Sequence, residues 1–277
     1  MSNRGRIVVT GASTGIGEAT ALHLRELGFD VLGGVRRDED AERLRGQGVT
    51  PLRLDVTDAG QIADMKAEIG DGPLAGLVNN AGVAVAGPVE FMPIDRLRVQ
   101  IEVNLIGQVA VTQALLPALR RGSGRIVNIT SIGGLVAMPL MSPYHASKFG
   151  MEAVSDSLRR ELRGQGIHVV VVEPGGVKTP IWGKGNRDAD DLLAQAPPEA
   201  TQLYGNIVAA MRKAMGRIET DTGLEPRAVA EVIGKAMTVG RPRTRYLVGR
   251  DAKGRALIGR VLPDRVMDRL IGRALGG

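Results

Sequence analysis

The sequence predicts an α/β fold: a doubly wound parallel sheet of about seven strands with helices on both faces. Apolar, β-branched runs such as "RIVVTG" (6–11) and "GRIVNITS" (124–131) alternate with helical stretches. Runs that are apolar throughout indicate strands buried on both faces, which is typical of parallel sheets covered by helices. No internal repeat or low-complexity linker interrupts the pattern, so a single domain is expected over residues 1–277.

Six runs of strand character can be distinguished along the chain. They are residues 6–11, 30–35, 49–56, 74–82, 124–131 and 167–175. Their return with helical patterns between them is typical of repeated βαβ units. A long helical segment is expected around residues 94–120, between the fourth and fifth runs.

After Gly175 the pattern loosens, and two further segments are expected. Residues 179–218 are polar and irregular, with helical pieces, and should form a lid over a pocket. Residues 241–277 should form a basic tail, in which Arg alternates with Leu, Ile and Val at helical spacing. Such a tail suits a membrane surface, or packing over the pocket or onto a partner subunit. Packing is favoured, because Pro263 and several glycines interrupt a continuous membrane face.

Composition narrows the classes of function. Cysteine is absent, which excludes disulfides, thiolate metal sites and a cysteine nucleophile. The net charge is +6, but only 3% of residues are aromatic, so a base-stacking platform and nucleic-acid binding are not expected. No His/Asp/Glu cluster has the spacing of metal ligands, so no catalytic metal is expected. The strand-like run at residue 6 leaves no room for a signal peptide, and a cytoplasmic location is expected.

A glycine-rich turn, "TGASTGIG" (10–17), lies where the first strand meets the first helix. Gly11, Gly15 and Gly17 let the backbone approach a pyrophosphate, which the helix N-terminus then attracts through its free N–H groups. The spacing is G-x-x-x-G-x-G, not the common G-x-G-x-x-G. Its position nevertheless favours a dinucleotide site in a Rossmann fold over a purely structural turn.

The end of the second strand indicates the choice of cofactor. An acidic residue there binds a ribose 2′-hydroxyl, whereas a basic residue accepts a 2′-phosphate. Val35 occupies the acidic position, and Arg36 and Arg37 follow it. Arginine matches phosphate geometry, so NADP(H) is favoured. In the alternative both arginines are solvated, Asp38 binds the ribose and NAD(H) is the cofactor.

Tyr144 and Lys148 stand four positions apart in "SPYHASKFG" (142–150). On a helix this spacing places both on one face. A neighbouring ammonium lowers the pKa of a phenol from about 10. Alone, the spacing is equally typical of two unrelated surface neighbours.

Several motifs together resemble the short-chain dehydrogenases/reductases over roughly residues 5–180. They are "TGASTGIG" (10–17), "LDV" (54–56), "NNAG" (79–82), "VNLIG" (103–107), "NITS" (128–131), "YHASK" (144–148) and "PGGVKT" (174–179). Within that family "GLVNNAG", "SDSLRREL" and "PRTRY" are most similar to the retinol and hydroxysteroid dehydrogenases and to bacterial reductases. The resemblance makes the Tyr144–Lys148 pair catalytic.

The resemblance implies four catalytic residues. Tyr144 would be the general acid in carbonyl reduction and the general base in alcohol oxidation. Lys148 would lower the pKa of Tyr144 together with the oxidised nicotinamide, and bind the nicotinamide ribose. Ser131 would hold the substrate oxygen, and Asn104 would hold a water that links Lys148 to solvent. In the alternatives Asn104 bonds only backbone and Ser131 is an ordinary turn residue.

The resemblance also implies the residues of the cofactor site. The diphosphate turn would comprise Gly11, Ser13, Thr14, Gly15, Ile16 and Gly17. Asp55 and Val56 would flank the adenine. Asn80, Ala81 and Gly82 would lie beside the ribose that carries the adenine. The nicotinamide half would be held by Tyr144, Lys148, Pro174, Gly175, Val177 and Thr179.

The substrate is expected to be a small apolar ketone or alcohol, steroid-like or retinoid-like. Met138, between the catalytic serine and tyrosine, and Trp182 in the lid are candidate substrate contacts; in the alternative the lid's apolar residues only pack onto the body. By resemblance the chain should form a homodimer or homotetramer through residues 95–120 and 144–163. A non-catalytic NADP(H)-binding sensor and a protein that associates with membranes through its basic tail stay as alternative functions.

Overall fold

One parallel sheet organises the molecule, for which the computed structural model describes residues 4–275, without the side chains of residues 184–188 and 260. In this part of the chain seven strands lie in the order β3-β2-β1-β4-β5-β6-β7. The strands are β1 (Arg6–Val9), β2 (Asp30–Val35), β3 (Thr50–Arg53), β4 (Gly76–Asn79), β5 (Arg125–Ile129), β6 (His168–Pro174) and β7 (Arg245–Val248). The strand order reverses between β1 and β4, which opens a crevice at their carboxyl ends.

Helices cover both faces of the sheet. They are α1 (Gly15–Glu26), α2 (Asp38–Gly46), α3 (Ala59–Ile69), α4 (Ile94–Ile101), α5 (Gly107–Arg121), α6 (Ser142–Glu161), α7 (Ile181–Gln195), α8 (Pro198–Arg217), α9 (Pro226–Thr238), α10 (Arg250–Val261) and α11 (Asp264–Ala274). Side chains alternate along β1, so Ile7 and Val9 join one core and Val8 joins the other. The prediction of a doubly wound parallel α/β fold is confirmed.

The helical segment Ile94–Arg121 is long and apolar enough to cross a membrane, by length and composition alone. It joins α4 and α5 through a π-helical turn, Glu102–Ile106. Val111, Leu115 and Leu119 are buried in one of the two cores beside the sheet. That burial accounts for their apolar character without a membrane.

Two segments differ from the sequence prediction. The lid is regular: α7 and α8 are helices of 15 and 20 residues, separated at Pro197. The segment assigned to the basic tail begins with β7, which pairs with β6 from Val171↔Arg245 to Pro174↔Val248. The chain therefore leaves the sheet at Gly249, not at about residue 241. Strand β7 is short and starts with a charged residue, which hides its strand character in the sequence.

Candidate active site

A cavity of about 500 Å³ occupies the crevice at the carboxyl ends of the strands, a volume typical of ligand sites. Most of the predicted site residues line it. They are Gly11, Ser13, Thr14, Gly15, Ile16, Arg36, Asp55, Val56, Asn80, Ala81, Gly82, Asn104, Ser131, Tyr144, Lys148, Pro174, Gly175, Val177, Thr179 and Trp182. The described lining does not include Gly17, Arg37 or Met138. One cavity thus brings together the predicted cofactor and catalytic residues.

The glycine turn has the conformation that its sequence suggests. Gly11 and Gly15 have φ angles of 63° and 60°, a region that side chains disfavour. A Cβ on Gly17 would lie 2.1 Å from the carbonyl oxygen of Gly11, so this glycine allows the helix to approach the turn. Helix α1 begins at Gly15, and Gly15 and Ile16 both line the cavity, so the free N–H groups of the helix N-terminus suit an anion there. The turn therefore fits a pyrophosphate.

Asn80 holds the shape of that turn. Its Nδ2 donates to the carbonyl oxygens of Thr10 and Gly11, each at 3.0 Å. The Thr10 hydroxyl in turn accepts the N–H groups of Asn80 and Ala81, each at 2.9 Å. Thr10 is completely buried. Its role was missed at the sequence level because it depends on contact between the ends of β1 and β4, which are far apart in the sequence but adjacent in the sheet.

The two predicted arginines lie in different surroundings. Arg36 lines the cavity, is about two-thirds exposed, and its Nη1 lies 3.5 Å from Asp55 Oδ2. Arg37 instead pairs with Asp40, with Nε–Oδ2 at 2.9 Å. Asp40 is buried, and hydrogen bonds from Arg37 and Arg43 hold its pKa below its usual value although burial acts in the opposite direction. Of the two, only Arg36 belongs to the described lining of the cavity.

Arg43 is a further basic group at the glycine turn that sequence reasoning missed. Its guanidinium contacts Asp40 at 2.9 Å and Glu18 at 3.2 Å, and it donates to the carbonyl oxygen of Ser13. The only sequence signal is the i, i+3 spacing to Asp40, which does not reveal that α2 returns towards the turn.

Tyr144 and Lys148 are both buried on the inner face of α6, each 7% exposed. Lys148 Nζ donates to the carbonyl oxygen of Ile129 at 2.9 Å and lies 5.7 Å from the centre of the Tyr144 ring. The Ser131 hydroxyl accepts the N–H of Gly133 at 3.0 Å and lies close enough to the Tyr144 hydroxyl to act on its pKa. The pair is therefore an internal pair and not two surface neighbours.

Burial dominates the protonation of this pair. It raises the pKa of the Tyr144 hydroxyl, and the hydrogen bond to Ser131 only partly opposes it. The lowering expected from Lys148 together with an oxidised nicotinamide stays a prediction, because it includes the charge of a bound cofactor. Burial also lowers the pKa of the Lys148 ammonium to about 8, while the negative charge of Glu152 acts to raise it. A working tyrosine here needs the charge of Lys148 and of a bound cofactor to offset desolvation.

Asn104 lies in the π-helical turn between α4 and α5. Its Oδ1 accepts the N–H of Val83 at 2.8 Å, and its Nδ2 donates to Val83 O at 3.0 Å. Nδ2 also lies 3.3 Å from the Ser147 hydroxyl. The side chain thus makes the backbone bonds that the alternative interpretation expected, and the water-holding role stays a prediction.

A buried charged network that sequence reasoning missed continues the face of α6. Glu152, one turn after Lys148, accepts a 2.6 Å hydrogen bond from the Thr130 hydroxyl. Arg245 on β7 lies 3.0 Å from Glu152, 3.0 Å from Asp156 and 3.5 Å from Glu173. The sequence shows the i, i+4 and i+8 spacing of Tyr144, Lys148 and Glu152. It does not show that Arg245 is their neighbour, because only the pairing of β7 in the sheet brings Arg245 to Glu152.

The lid supplies an apolar wall opposite α6. The Trp182 indole donates to Val177 O at 2.9 Å, and its ring centre lies 6.2 Å from that of Tyr144, edge to face. Around them is a cluster, called here the lid cluster: Ala84, Ala86, Leu140, Met141, Tyr144, Ala189, Val208 and Met211, with Met138, Ile181, Trp182, Leu193, Tyr204, Ile207, Met215 and Leu275 packed against it. Met138 thus supports the apolar wall from outside the described cavity lining.

His145 holds the loop between the catalytic serine and tyrosine. One ring nitrogen lies 2.8 Å from Gly133 O, and the other accepts the N–H of Met138 at 2.9 Å. Burial lowers the pKa of His145, which favours the neutral ring that can accept this bond. Among the described residues no group of three or more His, Asp or Glu is placed to hold a metal ion.

Comparison with known proteins points to one family. A family model described as short chain dehydrogenase matches residues 6–190. The NADPH-dependent 3-dehydrocapnine reductase of Ornithobacterium rhinotracheale is 37% identical over 275 residues, covering 95% of this chain and 94% of its own. Retinol dehydrogenase 5 of Mus musculus is 37% identical over 280 residues, covering 96% and 87%.

A solved structure extends the similarity to three dimensions. The crystal structure of a short chain dehydrogenase/reductase from Burkholderia phymatum in complex with NAD superposes with a TM-score of 0.78. It is 25% identical and covers 92% of each chain. Among these similar proteins one is named for NADPH and another was solved with NAD.

Proposed function

The chain belongs to the short-chain dehydrogenase/reductase family, and from that premise we propose that it is an NADP(H)-preferring enzyme that interconverts a carbonyl and an alcohol on an apolar substrate. The family makes it an NAD(P)-dependent oxidoreductase. One observation carries the proposal: Ser131, Tyr144 and Lys148 share a cavity with the glycine turn. A protein that only sensed the nucleotide would not need a serine and a tyrosine at the substrate end.

The three side chains divide the work at the substrate oxygen. The hydroxyls of Ser131 and Tyr144, which line the same cavity, would both contact that oxygen. Tyr144 would donate its proton in reduction and accept one in oxidation. Bound NAD(P)(H) supplies or accepts the hydride. Lys148, held by Ile129 O, would keep a positive charge beside the phenol.

The preference for NADP(H) is supported by charge at the cavity edge. Val35 leaves no carboxylate at the end of β2 to bind a ribose 2′-hydroxyl. Arg36 lines the cavity, and Arg43 donates to the carbonyl oxygen of Ser13 in the glycine turn. The relative named as NADPH-dependent points the same way. The contact between Arg36 and Asp55 opposes it, since it engages part of that positive charge.

The apolar substrate is supported by the lid cluster beside Tyr144. Trp182 and Ile181 line the cavity next to the tyrosine, so a substrate carbonyl at Tyr144 would place its carbon skeleton against them. The retinol dehydrogenase among the relatives acts, by its name, on an apolar alcohol.

A homodimer through α4, the π-helical turn and α6 is part of the proposal. Val99, Ile106 and Phe149, on these elements, are 51%, 49% and 43% exposed. Exposed apolar side chains on neighbouring elements are typical of an interface. Sedimentation equilibrium of the wild type and of Phe149→Ser would test it, and a monomeric wild type would contradict it.

The test of the proposed function uses the chain's single tryptophan, Trp182. Because it lies at the cavity, quenching of its fluorescence should report cofactor binding. NADPH should bind clearly more tightly than NADH, and apolar ketones should then be reduced with NADPH. Tighter NADH would overturn the preference; no binding of either nucleotide would overturn the activity.

A further inference from the structure

The two helices after β7 expose apolar side chains instead of burying them. On α10, Leu257, Ile258 and Val261 are 66%, 41% and 69% exposed. On α11, Val266 and Leu270 are 37% and 43% exposed, and none of its residues is fully buried. These five residues, called here the tail face, are apolar side chains that no described part of the chain covers.

Helix α11 rests on the body along a different line of residues. Met267, Ile271 and Leu275 are half-buried, and Leu275 packs on the lid cluster. Successive residues of a helix are turned by about 100°, so Val266 and Leu270 lie beside that line and not on it. The packing expected from the sequence therefore accounts for only part of the helix.

Basic residues border the exposed edge of α11. Arg265, Arg269 and Arg273 follow the i, i+4, i+8 spacing and form the row next to Val266 and Leu270. All three are exposed. Asp264 and Asp268 lie about 100° further round, away from the apolar edge. The order across the helix is therefore packed side, exposed apolar edge, arginine row and acidic edge.

The tail as a whole is positively charged. Residues 250–277 contain seven basic and three acidic residues, so they carry a net charge of +4 out of the chain's +6. One of the three acids, Asp251, is engaged with the body, where it accepts the N–H of Gly176 at 2.9 Å. The surface presented to solvent is correspondingly more basic.

We propose that the tail face docks onto an anionic phospholipid membrane, with Val266 and Leu270 inserted at the interface and the arginine row on lipid phosphates. Arginine matches phosphate geometry, and its long stem lets the guanidinium reach the headgroups while apolar neighbours insert. An amphipathic helix with a basic border is the pattern of proteins that lie in the interface plane.

Charge favours a membrane over a second copy of this chain as the occupant. In a two-fold dimer the same patch meets itself, so two arginine rows would approach each other across the contact. Like charges in such a contact are costly. An anionic bilayer instead neutralises the row. Because Leu275 joins α11 to the lid cluster, docking would place the lid close to the membrane.

Vesicle flotation of the full-length protein tests this proposal without any substrate. Vesicles of phosphatidylcholine mixed with phosphatidylglycerol should carry the protein, and pure phosphatidylcholine vesicles should carry much less. The triple variant Arg265→Gln, Arg269→Gln, Arg273→Gln should lose about 100-fold in partitioning, at roughly fivefold per basic residue near an anionic surface. The double variant Val266→Ser, Leu270→Ser should also bind less.

A matched control removes the same charge elsewhere. The variant Lys66→Gln, Arg163→Gln, Arg45→Gln neutralises three exposed basic residues outside the tail and should float like wild type. An equal loss of vesicle binding in this control would mean that net charge alone causes the effect, and it would overturn the proposal. Failure of wild type to float would overturn it too, and a tail-dependent dimer without flotation would assign the face to a second copy. Tryptophan quenching by nucleotide, measured on the same samples, tests the proposed activity separately.

Discussion

The two walls of the cavity are held together by different forces. The catalytic wall, formed by the end of β5 and by α6, is fixed by buried hydrogen bonds between individual atoms of the two elements. Three consecutive residues at the end of β5 contact three turns of α6. Ile129 O accepts a hydrogen bond from Lys148, the Thr130 hydroxyl donates to Glu152, and Ser131 contacts Tyr144. The register of one strand end thus positions the whole catalytic face of α6.

The lid wall, formed by α7 and α8, is held mainly by apolar contacts. Apart from the half-buried bond from Trp182 to Val177 O, its described side-chain links lie at the surface: Arg212 pairs with Asp190, and the Tyr204 hydroxyl donates to Glu90 at 2.8 Å. Apolar contacts are not directional, so several lid arrangements can be nearly equal in free energy. The difference teaches that chemistry should depend on single atoms of the catalytic wall, whereas substrate choice should depend on the summed shape of the lid.

The largest expected effect is from Tyr144→Phe. Removing one hydroxyl deletes the proton donor while keeping the ring that packs against Trp182. The value of kcat should fall by about 10²–10⁴-fold, with little change in nucleotide affinity measured by tryptophan quenching. Tyr246→Phe removes a hydroxyl from β7, where it accepts the Arg243 N–H at 3.1 Å, and should keep full activity. Comparable losses of kcat in both variants would contradict the role of the Tyr144 hydroxyl as the proton donor.

The next effect concerns Glu152→Gln and appears as a change in pH dependence. The negative charge of Glu152 raises the pKa of Lys148, which burial lowers to about 8. Without that charge the lysine pKa falls further, so Lys148 loses its proton at lower pH. The alkaline limb of the kcat/KM profile for carbonyl reduction should therefore move to lower pH, and each unit of displacement costs about tenfold above the limb.

Asp156→Asn is the control for that shift. Asp156 also contacts Arg245, at 3.0 Å, but lies two turns beyond Lys148 on α6. A purely structural effect of the charged network should lower activity at every pH in both variants. A displaced limb in Glu152→Gln alone is expected, and an identical profile in the two would rule out the electrostatic role.

A more selective effect is expected from Arg36→Gln. A lost hydrogen bond to a charged phosphate costs about 1.5–3 kcal/mol, so NADPH should bind about 10-fold to 100-fold more weakly, while NADH affinity should hardly change. Arg37→Gln is the matched variant, since Arg37 pairs with Asp40 outside the described lining. It should affect NADPH clearly less. If Arg37 proves the more important, α2 must turn towards the cofactor on binding.

The same contrast explains what could be predicted from sequence. The glycine turn, Ser131, Tyr144 and Lys148 follow strand ends whose apolar runs are unambiguous, and the sheet then brings them together. Arg245 could not be assigned, because it reaches Glu152 across 93 positions and through a strand of four residues. The lid helices were hidden because Gly183, Gly185 and the break at Pro197 lower helix propensity, and only packing stabilises them.

The smallest effect should come from the lid, and Met211→Ala measures it. Met211 is 5% exposed and packs in the lid cluster, where burying such a side chain stabilises by about 1.5–3 kcal/mol. Part of that loss should be absorbed by rearrangement of the lid, so KM for an apolar ketone should rise by about tenfold or less. The values of kcat and the NADPH affinity should stay close to wild type, because no atom of the catalytic wall is removed. Leu203→Ala, on the exposed side of α8, should change none of these constants. A large fall in kcat with Met211→Ala would show that the lid positions the reacting atoms, and that the two walls do not work separately.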